Sequence, residues 1–156
     1  MKQIREILQG DTALAAEALL LLRLRCETAD AIATAADTHL RPSGYRLVGV
    51  FEYHSHAASS VVGLREMWST AFGHYMYIDD LSTMETARGN GIRRRAAAVG
   101  RKPNVAGARR FTSTQVSTLI AHRLYMHKGL RISAHHFSID VSSRLANPAA
   151  QPCLTS

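Results

Sequence analysis

Between Lys2 and Leu8 polar and apolar residues alternate loosely, which predicts a first strand. Gly10-Asp11-Thr12 is a turn with a helix N-cap candidate at Asp11. From Thr12 to Arg25 the spacing turns helical, with Leu14, Ala18, Leu21 and Leu22 on one side and Glu17, Arg23 and Arg25 on the other. A second, Ala-rich helix is predicted over Ala29 to Leu40, capped at Thr28 and stopped by Pro42-Ser43-Gly44. Three β-rich stretches follow: Tyr45 to Tyr53, Ser60 to Ser69 and His74 to Thr83. The turns between them are His54 to Ser59 and Thr70 to Gly73, so they read as a meander. Glu85 to Ile92 is a Gly-containing loop. A third helix, Leu119 to Lys128, ends at Gly129, and Leu130 to Val141 reads as a closing strand. The order predicts an α+β domain with a mixed central sheet flanked by helices over residues 1–141. The Pro- and Ala-rich residues 142–156 read as a frayed tail.

Composition narrows the class. Hydrophobic residues at 46% and charged residues at 20% are ordinary for a globular domain, which excludes a disordered or collagen-like chain. Cys26 and Cys153 are too few for a disulfide scaffold, so a reducing cytoplasm is the expected location. The longest apolar run, Ala13 to Leu22, contains Glu17 and is too short to span a bilayer, and the first residues show no signal-peptide core. No membrane partner is expected.

The charge is unusual: 19 Lys and Arg against 12 Asp and Glu, a formal +7. Seven of the basic residues (Arg93, Arg94, Arg95, Arg101, Lys102, Arg109 and Arg110) fall between Arg93 and Thr118, a stretch without Asp or Glu. Outside it the charges balance. Such a segment suits a nucleic-acid partner, but Phe111 is its only aromatic residue, so support for that reading is thin. Pro103 and the small residues around it also make a poor amphipathic helix.

Arg88-Gly89-Asn90-Gly91-Ile92 directly follows the third meander strand. A Gly-rich turn between strand and helix exposes successive backbone N–H groups that can hold a pyrophosphate. Arg88 to Arg93 resembles the acetyl-CoA signature Arg/Gln-x-x-Gly-x-Gly/Ala of the GNAT superfamily of N-acetyltransferases. Arg93 departs from it, standing where Gly or Ala is usual, and Glu85 stands where the family often has Pro. Ala121-His122-Arg123-Leu124-Tyr125, followed by Lys128-Gly129-Leu130-Arg131-Ile132, is similar to the family's "AHRFY…GFR" segment.

The resemblance implies a GNAT-like acyl-CoA N-acyltransferase fold and acetyl transfer from acetyl-CoA, as co-substrate, to an amine. The acceptor is either a small molecule or a protein, and a homodimer is in keeping with the family. The fourth strand would offer backbone groups to the pantetheine arm at Leu81, Ser82 and Thr83. Arg88, Gly89, Asn90, Gly91, Ile92 and Arg93 would hold the pyrophosphate. Tyr125 would protonate the leaving thiolate, since a phenol of pKa near 10 matches a thiolate's basicity. The base that deprotonates the amine would be Asp79, Asp80 or Glu66. Strand alternation places Asp79 and Asp80 on opposite faces, so at most one of them would face the cleft.

No metal is expected. His54-Ser55-His56 and His135-His136 have no Cys or acidic ligand at suitable spacing. Trp68 and the Tyr75 to Tyr77 stretch read as aromatics packed in or beside the sheet.

The segment Arg93 to Thr118 occupies the place of the family's amphipathic helix and following strand. Read from the third base of each codon, degenerate codons for Arg109-Arg110-Phe111-Thr112 are compatible with Ala-Ala-Leu-His. The run onward to Thr118 is compatible with Leu-Asp-Ser-Gly-Val-His. The shifted reading permits GCAALHLDSGVH, the family pattern, directly before Ala121. Residues 93–118 therefore read as a segment translated out of frame between two compensating indels. Such a segment predicts lowered stability and weakened acetyl-CoA binding, or a GNAT-fold protein without activity.

Overall fold

The structure is a computed structural model that describes residues 2–22, 28–88, 110–113, 123, 125–127, 129 and 130. Its strands are β1 (Gln3–Ile7), β2 (Tyr45–Phe51), β3 (Ala58–Ser69), β4 (Gly73–Thr83) and β5 (Arg110–Ser113). They form one sheet in the order β1-β2-β3-β4-β5. The first four pair antiparallel and β5 runs parallel to β4, so the sheet is mixed, as expected. The expected strand over residues 130–141, the tail and most of the basic segment lie outside the described residues.

Two helices, α1 (Ala13–Leu20) and α2 (Ala29–Ala35), cover one face of the sheet. Helix α1 buries Ala15, Ala16, Ala18 and Leu19 against Ile7, Tyr45, Leu47, Phe51 and Val61. Its small residues let the helix lie close to the sheet. Each large aliphatic side chain fully buried there contributes roughly 1.5–3 kcal/mol. The N-cap of α1 falls on Thr12 rather than Asp11, and it makes no side-chain capping bond. Instead Thr12 is buried and donates its hydroxyl to Asp37 at 2.5 Å. The cap of α2 is as expected, with Thr28 Oγ1 accepting from the Ala31 N–H at 3.1 Å. After Ala35 the helix widens into a π-turn over Ala36–Leu40, then tightens into a 3₁₀ turn. Gly44 ends it at φ 85°, a left-handed conformation that glycine adopts without strain.

Asp37 and Arg41 tie this region to β1. Asp37 accepts from the Gly10 N–H at 3.0 Å and from Arg41 Nε at 2.7 Å. Arg41 Nη2 donates to the Ile7 carbonyl at 2.8 Å and to Thr12 Oγ1 at 2.9 Å. Burial raises the Asp37 pKa, but the bonds from Thr12, Gly10 and Arg41 outweigh it and hold the carboxyl below its usual value.

The second face carries Val50, Val62, Leu64, Met76 and Ile78, joined by Ala87 from a 3₁₀ turn, Glu85–Ala87. The sheet therefore has apolar cores on both sides, which is why the meander strands are rich in Val, Leu and Ile as well as alternating.

Candidate active site

The described pairing of β4 with β5 covers Tyr75 to Ile78 against Arg110 to Ser113. Beyond it, Asp79 to Thr83 run on with no described strand along their outer side. Their inner side is held by β3, where Asp80 faces Gly63, Leu81 faces Val62, Ser82 faces Val61 and Thr83 faces Ser60. Ser60 Oγ donates to the Ser82 carbonyl at 2.6 Å and lies 2.8 Å from Thr83 Oγ1. These bonds hold the backbone of this stretch against β3. The cofactor-binding positions expected at Leu81, Ser82 and Thr83 lie in this stretch.

The strand is not regular here. Leu64 faces Ile78 while Gly63 faces Asp80, so Asp79 is the extra residue of a β-bulge. The bulge corrects the expectation that Asp79 and Asp80 point to opposite faces. Asp79 accepts from Arg65 Nε at 2.9 Å and Nη2 at 2.5 Å. Asp80 Oδ2 accepts from Tyr45 Oη at 2.9 Å. Tyr45 and Arg65 are direct cross-strand partners and so share a face. Both carboxylates therefore engage groups on the face covered by α1 and α2.

Gly63 makes the Tyr45 contact possible. A Cβ at this position would meet Tyr45 Oη at 2.1 Å. Without one, the phenol of β2 crosses over β3 to reach Asp80 on β4. Tyr45 and Asp80 are both buried, at 3% and 4% exposure. The Arg65 pKa is raised, chiefly by its hydrogen bonds to Asp79 and against its own burial; the charges of Asp79, Tyr77 and Asp80 add to the rise.

Glu66, the third candidate base, belongs elsewhere. It bonds His74 Nε2, and the His74 ring stacks on Trp68 at 4.6 Å. His74 and Trp68 are cross-strand partners near the β3–β4 turn, away from Asp79 to Thr83. Trp68 is 75% exposed, so it rests against His74 rather than in a core.

Tyr125 lies on the second face, packed against the cluster of Val62, Met76, Ile78 and Ala87 that Leu81 also joins. Its helical turn ends in two bonds: Gly129 N–H donates to the Met126 carbonyl at 2.9 Å, and Leu130 N–H to the Tyr125 carbonyl at 3.0 Å. This 5→2 and 6→1 pattern is the Schellman cap, with Gly129 at φ 76°. The expected glycine stop is thus observed. Tyr125 and Asp80 sit on opposite faces of the sheet.

Arg88 is exposed and its Nη1 donates to Glu85 Oε1 at 2.9 Å across the 3₁₀ turn. The expected pyrophosphate-binding positions Gly89, Asn90, Gly91, Ile92 and Arg93 lie outside the described residues. Among the described residues, no group of three or more His, Cys, Asp and Glu could hold a metal ion. Sequence reasoning did not single out Tyr45, Gly63 or Arg65. The partners of Tyr45 and Arg65 lie 35 and 14 residues away, and no local pattern marks such pairs.

No family profile and no curated protein sequence matches this chain. Solved structures do. A Trypanosoma brucei acetyltransferase superposes with a TM-score of 0.72 at 16% identity, over 90% of this chain and 100% of its own. A ribosomal-protein-alanine N-acetyltransferase from Brucella melitensis gives 0.72 at 14% identity, over 90% and 99%. An integron cassette protein from V. cholerae gives 0.74 at 15% identity, over 90% and 93%. The chain shares the mixed α+β fold of these solved structures.

Proposed function

We propose that this protein transfers an acetyl group from acetyl-CoA to an amine acceptor by direct attack of the amine on the thioester. The observation that carries the reading is the stretch Asp79 to Thr83 of β4, beyond its described pairing with β5, with Asp80 on one face and Tyr125 on the other. The backbone of Leu81 to Thr83 would receive the pantetheine arm, and Arg88 with residues 89–93 the pyrophosphate. Acetyl-CoA supplies the activated acyl group.

The chain's own groups divide the proton transfers. Asp80 takes the proton of the attacking amine, directly or through water. It is chosen over Asp79, whose two oxygens are both engaged by Arg65, and over Glu66, which lies near the β3–β4 turn. A β4 backbone N–H stabilises the developing oxyanion. Tyr125 donates its proton to the departing sulfur. Electrons move from the amine nitrogen to the carbonyl carbon and, as the C–S bond breaks, to sulfur. An amide and a free thiol result.

The sequence of residues 93–118 favours a second reading, the same fold with impaired catalysis. Thiol release from acetyl-CoA, measured across a broad panel of small and peptide amines, separates the two. Acceptor-dependent thiol release supports the transferase; none with any amine supports the impaired form. Cytoplasmic location and homodimer assembly remain part of the proposal. Among the described residues, no helix is long and apolar enough to cross a membrane.

A further inference from the structure

Arg5 differs from the other arginines of the first four strands. Arg46 is held by Glu6 and Arg65 by Asp79, each through two hydrogen bonds. The Arg5 guanidinium makes no hydrogen bond or ion pair among the described residues. Its contact is with the Phe51 ring, whose centroid lies 4.2 Å from Cζ. The neighbouring carboxylates are engaged elsewhere. Glu6 is taken by Arg46, and Glu52 pairs with Lys2 at 3.6 Å.

The sheet builds this contact. Arg5 stands opposite Gly49, and Gln3 opposite Phe51. A Cβ at Gly49 would lie 2.8 Å from Phe51 Cε2, so the bare backbone gives the ring the room it occupies. Phe51 is buried in the core that α1 covers, which makes it a firm base for the cation. An arginine resting on a fixed ring loses less freedom on taking an anion than one surrounded by solvent.

Arg5 and Phe51 line a cavity of about 470 Å³, the size of small-molecule sites. The β2–β3 turn completes it with Tyr53, His54 and Ser55. This turn is tied in place. Ser55 N–H donates to the Glu52 carbonyl at 3.0 Å, and Ser55 Oγ to the Ala57 carbonyl at 2.8 Å. His54 adopts the left-handed conformation at φ 69°, and its ring meets that of Tyr53 edge to face at 4.0 Å. Tyr53 is 71% exposed, so its ring has surface left beyond that contact. The side chains of Gln3 and His54 make no hydrogen bond among the described residues. The cavity therefore gathers hydrogen-bonding groups around a cation that no carboxylate offsets, beside an exposed aromatic ring.

We propose that this cavity binds a nucleoside monophosphate, with its phosphate at Arg5 and its base on the Tyr53 ring. A phosphate has three terminal oxygens to share among Arg5, Gln3 and His54, and it matches the guanidinium fork. A flat base suits Tyr53, because every base has a face that stacks on an aromatic ring. The site spans β1 and the β2–β3 turn, with β3 between its strands and β4. It is therefore separate from the place proposed for acetyl-CoA and does not depend on the transferase reading.

Calorimetric titration of the unmodified chain with AMP, adenosine and inorganic phosphate tests this. AMP is expected to bind about tenfold or more tightly than adenosine, which lacks the anion, and than phosphate, which lacks the ring. Arg5→Gln is expected to weaken AMP about ten- to a hundredfold, the scale of a lost hydrogen bond to a charged group. Tyr53→Ala is expected to weaken AMP about fivefold or more and to leave phosphate unchanged. Both side chains are exposed, so both variants are expected to melt with the wild type. A readout on the unmodified chain stands beside the variants. The Arg5 Nε–Hε NMR signal is expected to shift with AMP and to stay in place with adenosine. Absence of AMP binding, AMP binding that survives Arg5→Gln, or AMP binding with the Arg5 signal unmoved overturns the proposal. So does adenosine or phosphate binding as tightly as AMP.

Discussion

Tyr45 Oη donates to Asp80 Oδ2 at 2.9 Å across the bare backbone of Gly63, joining three adjacent strands through one hydrogen bond. Two substitutions probe it. Tyr45→Phe takes a donor from a buried carboxylate and is expected to cost about 1–3 kcal/mol. Gly63→Ala places a methyl where the phenol lies and is expected to cost about 1–3 kcal/mol through overpacking. Urea unfolding midpoints measure both. A Gly63→Ala protein as stable as the wild type contradicts the close approach described here.

The three acidic candidates divide by place, and their variants should divide the same way. Asp80→Asn is expected to lower kcat by about a hundredfold or more, the scale of a lost general base. Tyr125→Phe should also lower kcat, with acetyl-CoA affinity nearly unchanged, because it removes only the proton donor. Asp79→Asn should leave kcat within a few-fold, since its oxygens are taken up by Arg65. Glu66→Gln should leave the kinetics as they were. Steady-state kinetics with both substrates varied decides among these. A large kcat loss in Glu66→Gln is the result that contradicts the assignment.

The Asp37 network makes stability depend on pH with a definite sign. The folded-state pKa of Asp37 is held below its usual value, so the folded protein favours the carboxylate. Its contribution is fully present above the unfolded-state value of about 3.9 and is lost as pH falls through the lower, folded value. The difference in urea midpoint between the wild type and Asp37→Asn is expected to be constant near neutrality and to shrink below about pH 4. A difference that grows on acidification would have the wrong sign.

The coding DNA tests the reading of residues 93–118. Shifting the frame across this stretch should give an in-frame Leu-Asp-Ser-Gly-Val run before Ala121. A chain carrying the restored segment should bind acetyl-CoA more tightly in calorimetry and melt higher, because an amphipathic helix buries apolar area that Arg- and Gly-rich sequence does not. Equal affinity in both versions refutes the functional consequence, and DNA lacking the run refutes the frame explanation itself.

Local sequence determined much of the framework. The meander strands, the Thr28 cap, the Gly44 stop and the Gly129 stop each follow from a few neighbouring residues, because strand alternation, capping and left-handed glycine are short-range effects. Helix α1 ends its regular turns at Leu20, short of the Arg25 that side-chain periodicity suggested, with residues 23–27 outside the described part.

The faces of Asp79 and Asp80 were not legible. Alternation alone puts neighbours on opposite sides, and it holds only while the register with the adjacent strand is unbroken. Here β3 and β4 slip by one residue at Asp79, and that slip exists only between two strands. Tyr45, Gly63 and Arg65 were hidden for the same reason. What makes them matter is cross-strand distance, which a chain acquires when it folds. The sequence by itself determined where the meander strands and the helix caps and stops form. The tertiary pairing alone decided which carboxylate faces which partner, because a bulge is a property of two strands together.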